Sequence, residues 1–282
     1  MAGSLEDILN TTEVEEMKLN KAIVFADRHT GLECVICDKI LKKYIKKKKK
    51  DIKYIIDLGD GIDNPFMSTF PVSPNYTKSA QEEFDLYASF WKDIDTMVPK
   101  ATKVIIPGNH DKSRLDNSKT LNRGLASLRC IQYENVMKDA LRSQNVRLET
   151  FKFPNTTYQT SFTRKHKAIF THGDPRMNVN IKGGVTGHRR TAELYPFDGD
   201  IFMGHVHRFI QYPRAYPDKN LYTLDMMADK DKMKDAYLNH NPYTNGFMVI
   251  KYNGKKGLYS VSRYEIKNGM SEIDGKIYKG GK

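Results

Sequence analysis

Cysteine is scarce: Cys34, Cys37 and Cys130 are the only three in 282 residues, too few for a disulfide framework, and the odd number suits a reducing compartment. Cys34-x-x-Cys37 invites a redox or zinc reading, but there is no second pair and Leu32 to Lys47 reads as a helix, which favours two half-buried small residues. No run approaches the roughly 20 apolar residues that a membrane span needs, so no membrane contact is expected. The opening residues, Met1 to Asp7, lack the basic-then-apolar order of a secretory signal. A soluble, cytoplasmic protein is therefore expected, bacterial or, if phage-encoded, in the host cytoplasm. Acidic residues are also short, with 34 Asp and Glu against 46 Lys and Arg, and the formal charge of +12 favours an anionic partner.

What is present fits one α/β domain over residues 21–270, with residues 1–20 as a tail or short helix and 271–282 as a C-terminal tail. Charge is concentrated in Lys42, Lys43 and Lys46 to Lys50, at the end of the expected helix. Cations there complement the negative end of the helix dipole, and they equally suit a phosphate-rich contact.

A pattern repeats along the chain: a short β-branched or aromatic run ends in a polar cluster. Lys21 to Ala26 leads into Asp27-Arg28-His29, Tyr54 to Ile56 into Gly59-Asp60, and Lys103 to Ile106 into Gly108-Asn109-His110-Asp111. Ala168 to Phe170 leads into His172, and Ile201 to Met203 into Gly204-His205-Val206-His207. Helices are expected at Leu32 to Lys47, Ser79 to about Thr96, and parts of Leu121 to Ser143. Further strands are expected at Leu221 to Leu224, Gly246 to Tyr252 and Leu258 to Ile266, the last two joined by the hairpin signal Asn253-Gly254. Such alternation means a sheet with its ligands at the carboxyl ends of the strands, where all five clusters lie. The Pro-rich stretch Ile62 to Lys78 forms a loop that would overhang that edge.

Carboxylates, imidazoles and an amide oxygen are the hard and borderline donors that divalent metals acting on phosphate esters require. Residues two apart in an extended segment point the same way, so Asp27 and His29 can share a metal, and His205 and His207 a cavity between two. Gly59, Gly108 and Gly204 precede proposed ligands, where the backbone must turn sharply and approach closely. Each cluster alone is commonplace; five of one type at one edge are not.

The ordered set Asp-x-His, Gly-Asp-x-x-Asp, Gly-Asn-His-Asp, His, Gly-His-x-His resembles the calcineurin-like metallophosphoesterase superfamily over residues 23–208. The resemblance implies a sandwich of two mixed β-sheets flanked by helices. It also implies one metal held by Asp27, His29, Asp60 and His207, and a second by Asp60, Asn109, His172 and His205. His110 would stay off the metals and act as the general acid, with Asp111 and Asp63 as carboxylates that orient imidazoles. Arg28 departs from the family pattern, and either a core carboxylate or substrate could be its partner.

The implied activity is hydrolysis of an anionic phosphoester with two divalent ions, manganese first, with iron, zinc, nickel or magnesium as alternatives. Gly59-Asp60-Gly61-Ile62-Asp63-Asn64-Pro65 and Gly108-Asn109-His110-Asp111 depart from the protein-phosphatase branch and are similar to phosphodiesterases and repair nucleases. With the basic charge, DNA, RNA or nucleotides are the favoured substrates. Lys152 to Lys167 interleaves aromatics with cations as a single-strand surface or an edge strand would. His188, Arg189 and Arg190 could clamp a phosphate or cap a helix. A phosphomonoesterase is the alternative within the class. A scaffold that kept the fold and lost the activity is the alternative outside it, and it would show a degraded ligand set, whereas every position here is filled.

Overall fold

The computed structural model describes residues 17–68, 71–116, 128–142, 145–149, 156–173, 196–237 and 242–281. A strand buried on both faces must be apolar at every position, and β1 (Asn20–Phe25) is so from Ala22 onward. Ile23 and Phe25 face helices while Ala22 and Val24 face a second sheet, the period of two that a strand imposes. β1 lies parallel to β2 (Ile52–Asp57), which is followed in the same sense by β3 (Thr102–Ile105) and β4 (Arg147–Leu148). On its other side β1 pairs antiparallel with β10 (Asn245–Asn253), and β10 with β11 (Leu258–Ile266), completing a six-stranded sheet.

The second sheet has five strands. β6 (Lys167–Thr171), β7 (Asp200–Met203) and β9 (Asn220–Thr223) are parallel, flanked by antiparallel β5 (Thr157–Ser161) and β8 (Ile210–Pro213). The sheets pack face to face through Val24, Ile56, Val104, Phe170, Phe202 and Ile250. Helices α1 (Val35–Lys48), α2 (Ala80–Met97) and α3 (Tyr133–Ala140) cover the outer face of the first sheet with Leu41, Tyr44, Tyr87 and Trp91. A fourth, α4 (Lys230–Tyr237), follows β9. The α/β class and the sandwich of two mixed sheets flanked by helices are those the sequence implies. Among the described residues no helix is long and apolar enough to cross a membrane.

Local chemistry sets the element ends. Ser79 and Glu82 form a reciprocal capping box at the start of α2. The Cys34 thiol caps α1 by accepting from the Cys37 amide, so the helix starts three residues after Leu32; all three cysteines are free, and Cys37 is buried. One expectation changes, and the expected hairpin between β10 and β11 is present. Residues 271–281 are not a tail: β12 (Met270–Ile273) and β13 (Lys276–Lys279) form a hairpin whose Ile273 and Tyr278 pack against α1. Asp274-Gly275 makes its turn, both residues at positive φ, which is the Asp-Gly signal of a two-residue hairpin turn. Between β10 and β11 the turn spans Gly254–Gly257, with Gly257 rather than Gly254 in the left-handed region.

Arg28 pairs with a core carboxylate. Its guanidinium donates to Asp38 on α1 at 2.8 Å, stacks over the Phe90 ring of α2 at 4.5 Å, and contacts Thr30. It thus ties the loop after β1 to two helices from a buried position. Arg28→Ala leaves Asp38 unpaired and is expected to cost about 3–5 kcal/mol, read by urea denaturation followed by far-UV circular dichroism. The double variant Arg28→Met with Asp38→Leu should recover most of that loss; a single variant as stable as the parent would refute the tie.

Candidate metal centre

The parallel strands of both sheets end at one edge of the sandwich. The first sheet delivers Asp27 and His29 after β1, Asp60 after β2, and Asn109 and His110 after β3; the second delivers His172 after β6 and His205 and His207 after β7. Asp27, His29, Asp60, His205 and His207 all adopt left-handed φ values between 46° and 73°. Non-glycine residues pay about 1–3 kcal/mol for such strain, and it persists only where surrounding structure over-determines it. Here the strand ends fix it: the His29 amide donates to Asp60 O at 2.9 Å, and the His205 amide to the Asp27 carboxylate at 3.0 Å. Gly59 and Gly108 let the loops after β2 and β3 touch, since a Cβ on Gly59 would fall 2.6 Å from Gly108 N.

Among the described residues three donor groups result, of which His29, Asp63 and His110 form one and the other two share Asp60. Asp27, His29, Asp60 and His207 offer ligand atoms within 4.8 Å of one another, and so do Asp60, His172 and His205. Asp60 belongs to both. Asn109 Oδ1 lies 3.0 Å from His172 Nε2, beside the second group. His29 Nε2 and His207 Nε2 face each other at 3.2 Å, so at most one can carry a proton. Asp60 Oδ2 is buried without a well-aligned hydrogen bond, 3.1 Å from His172 Nε2 and 3.8 Å from His110 Nε2. Converging lone pairs, two buried carboxylates and no thiol fit divalent cations of the hard-to-borderline kind.

The outer layer sets ring orientations. His29 Nδ1 lies 2.8 Å from Asp63 Oδ1, and His172 Nδ1 lies 2.8 Å from Leu58 O, so each imidazole donates outward and turns Nε2 to the centre. Asp63 also takes His110 Nδ1 at 2.9 Å. Asp111, expected to orient an imidazole, instead accepts the Gly108 and Ile62 amides at 2.8 and 2.9 Å, and so holds the two loops together. Glu83, reaching in from α2, accepts the amides of Asp63 and Asn64.

Electrostatics point the same way. Burial raises the Asp60 carboxyl, but the imidazoles of His110 and His172 outweigh it and leave it well below the usual carboxylate range. Burial disfavours a charged His172, yet Asp60 and then Asp27 pull it up to about 10. Burial and the His172 charge push His205 down to about 4, and burial together with His110 lowers His29, so both present neutral rings. The two buried carboxylates demand a cation, and a proton on His172 supplies it when nothing else does.

Two residues around this centre carry no signal legible in the motifs. Arg114 follows His110 by four positions, on the turn Asn109–Ser113 and its continuation, and Tyr237 ends α4; both reach Asp63. His188, Arg189 and Arg190 lie outside the described residues. Phe162 is buried between the sheets beside Tyr252 and Tyr259, and Thr157–Ser161 is an edge strand, so this part of the Lys152 to Lys167 stretch is not an array of open stacking rings.

No family model matches the chain, and no curated protein does. Solved structures of similar outline include Vacuolar Protein Sorting 29 from Cryptosporidium parvum, 13% identical with TM-score 0.43 over 93% of this chain and 96% of that one. A conserved protein of Streptococcus pneumoniae, a predicted phosphoesterase, is 11% identical with TM-score 0.40 over 94% and 99%. Purple acid phosphatase from yellow lupin seeds is 10% identical with TM-score 0.42 over 94% of this chain and 53% of that one. Everything functional therefore rests on the residues of this centre.

Because His172 holds its proton up to about pH 10, a metal binding there must expel it, and apparent affinity must rise with pH below that value. Calorimetric titration of Mn²⁺ at pH 6 and pH 8, in buffers of differing ionisation enthalpy, should show tighter binding at pH 8 and net proton release. Equal affinity with no proton release would contradict this electrostatic account.

Proposed function

We propose that this chain is a phosphoesterase dependent on two divalent metal ions, acting on phosphodiester bonds of DNA, RNA or nucleotides. The observation that carries the reading is the convergence of two donor groups on the single Asp60 carboxylate, with His110 beside it. Asp27, His29, Asp60 and His207 would hold one ion and Asp60, Asn109, His172 and His205 the other, manganese being our first choice. When bound, two such ions would polarise a phosphoryl group and lower the pKa of water. The protein contributes rigid placement: left-handed strand ends fix the carboxylates, and Asp63 and Leu58 O turn the imidazoles inward. His110 presents Nε2 to the centre and is the group that exchanges a proton with the leaving oxygen, Asp63 holding its other nitrogen.

Charge supports a polyanionic substrate, but not through the lysine cluster. α1 begins at the ligand-bearing end of β1 and finishes beside the start of β2, so Lys42 to Lys50 sit at the opposite end of the sheet. Lys42 pairs with Asp93, Lys48 with Asp274, and Lys47 lies over the Tyr278 ring. Nearer the centre, a cleft of about 330 Å³ opens beside Gly31 and Leu32, directly after His29, with Tyr76, Lys78 and Lys232 among its walls. Lys78 and Lys232, which line this cleft together with Asp235, suit a phosphate backbone.

The Mn²⁺-loaded protein should hydrolyse a generic aryl phosphodiester and lose that activity in chelator. Asp60→Asn should weaken metal binding itself; a variant with full metal content and turnover would refute the shared carboxylate. His110→Ala should retain both ions and lose about 10²- to 10⁴-fold in turnover. A panel of single-stranded DNA, duplex DNA, RNA, cyclic nucleotides and a phosphomonoester should favour the nucleic acids; strong preference for the monoester would replace this substrate class.

A further inference from the structure

His110 is gripped at both ring nitrogens. Nδ1 lies 2.9 Å from Asp63 Oδ1 and Nε2 lies 3.1 Å from Arg114 Nη2. A guanidinium has donors only, so Nε2 meets it with its lone pair, and the ring proton must sit on Nδ1, donated to Asp63. Asp63 also accepts from the Tyr237 hydroxyl at 2.6 and 2.8 Å, while Arg114 Nη1 donates to Asp63 O at 2.5 Å and lies 3.2 Å from the Tyr237 oxygen. The His110 and Tyr237 rings meet edge to face at 6.0 Å. Arg114 and Tyr237 thus contact Asp63 and His110, which form a donor group with His29. Tyr237 comes from 174 positions beyond Asp63 in the chain, at the end of a helix whose Met233 clusters with Leu32, Met226 and Ala228.

We infer that Arg114 and Tyr237 are positioning residues for His110, holding its ring by a contact at Nε2 and, by way of Asp63, at Nδ1. Arg114 does so at Nε2, and Tyr237 does so through Asp63 and through Arg114. The catalytic consequence rests on the phosphoesterase reading; the placement of the ring does not.

The test uses the full chain labelled with ¹⁵N-histidine, metal-free and Zn²⁺-loaded, with the His110 ring signals assigned by their loss in His110→Ala. The parent should show a protonated Nδ1 and a bare Nε2. Arg114→Met and Tyr237→Phe should mix the tautomers, Arg114→Lys should restore a donor and part of the parent spectrum, and metal content should stay unchanged in all three. With Mn²⁺ and an aryl phosphodiester, kcat should fall about 10- to 100-fold in Arg114→Met and Tyr237→Phe, with KM hardly moved. Should Arg114→Met fail to fold, Tyr237→Phe, which removes one oxygen, carries the measurement. Parent-like ring signals and kcat in the folded variants would overturn the inference while leaving an active parent intact. An inactive parent whose variants still shift the tautomer would overturn the phosphoesterase reading and leave the positioning in place.

Discussion

Asp60 is the constraint from which the rest of the centre follows. A fully buried carboxylate with one oxygen lacking a well-aligned hydrogen bond is costly unless positive charge lies beside it. Oδ1 is satisfied by the His110 amide at 2.8 Å, which fixes the loop after β3 against the loop after β2. Oδ2 faces His172 from the other sheet, so one side chain links both halves of the sandwich. The neighbouring carboxylate, Asp27, does the same from β1 by receiving the amide of His205.

Holding these groups requires a backbone that ordinary turns do not favour. Five candidate ligands sit at positive φ, at about 1–3 kcal/mol each. The strain is offset by the apolar interface between the sheets, where Phe170, Phe202 and Ile250 are fully buried, and by the helical layer around Tyr44, Tyr87 and Trp91. Arg28 shows how closely scaffold and centre are joined. Flanked by two candidate ligands, its side chain points away from both and anchors the same loop to α1 and α2.

The distribution of charge separates solubility from chemistry. Lysines at the end of α1 complement the helix dipole and neutralise Asp93 and Asp274, at the edge remote from the centre. Around the centre the cations are fewer and more constrained: Arg114 is enclosed by Asp63, Tyr237 and His110, and Lys78 and Lys232 flank the cleft beside Gly31. A net charge of +12 thus describes the field around the molecule, while a handful of placed cations describes the site.

Much of the arrangement is local in origin and was legible in the sequence. The apolar runs ending in Asp, Asn or His mark strand ends, and the polar stretch from Ser79 marks the start of α2, whereas the extended alternation expected at Asp27 with His29 and His205 with His207 gives way to left-handed backbone. The strand and helix ends depend on residues a few positions apart, where periodicity and capping chemistry act. Other features depended on distant contacts and had no local mark. Ile273 and Tyr278 of the hairpin at Met270 to Lys279 are buried against the α1 layer, and Asp111 binds amides because the loop after β2 comes within reach. Arg28 turned to Asp38 rather than to the centre. The enclosure of His110 by Arg114 and Tyr237 required α4 to fold back over a loop formed far earlier in the chain. Sequence by itself determined which donors exist and at which strand ends they stand; tertiary structure decided which atoms face one another, because a tautomer or an ion pair is set by neighbours in space.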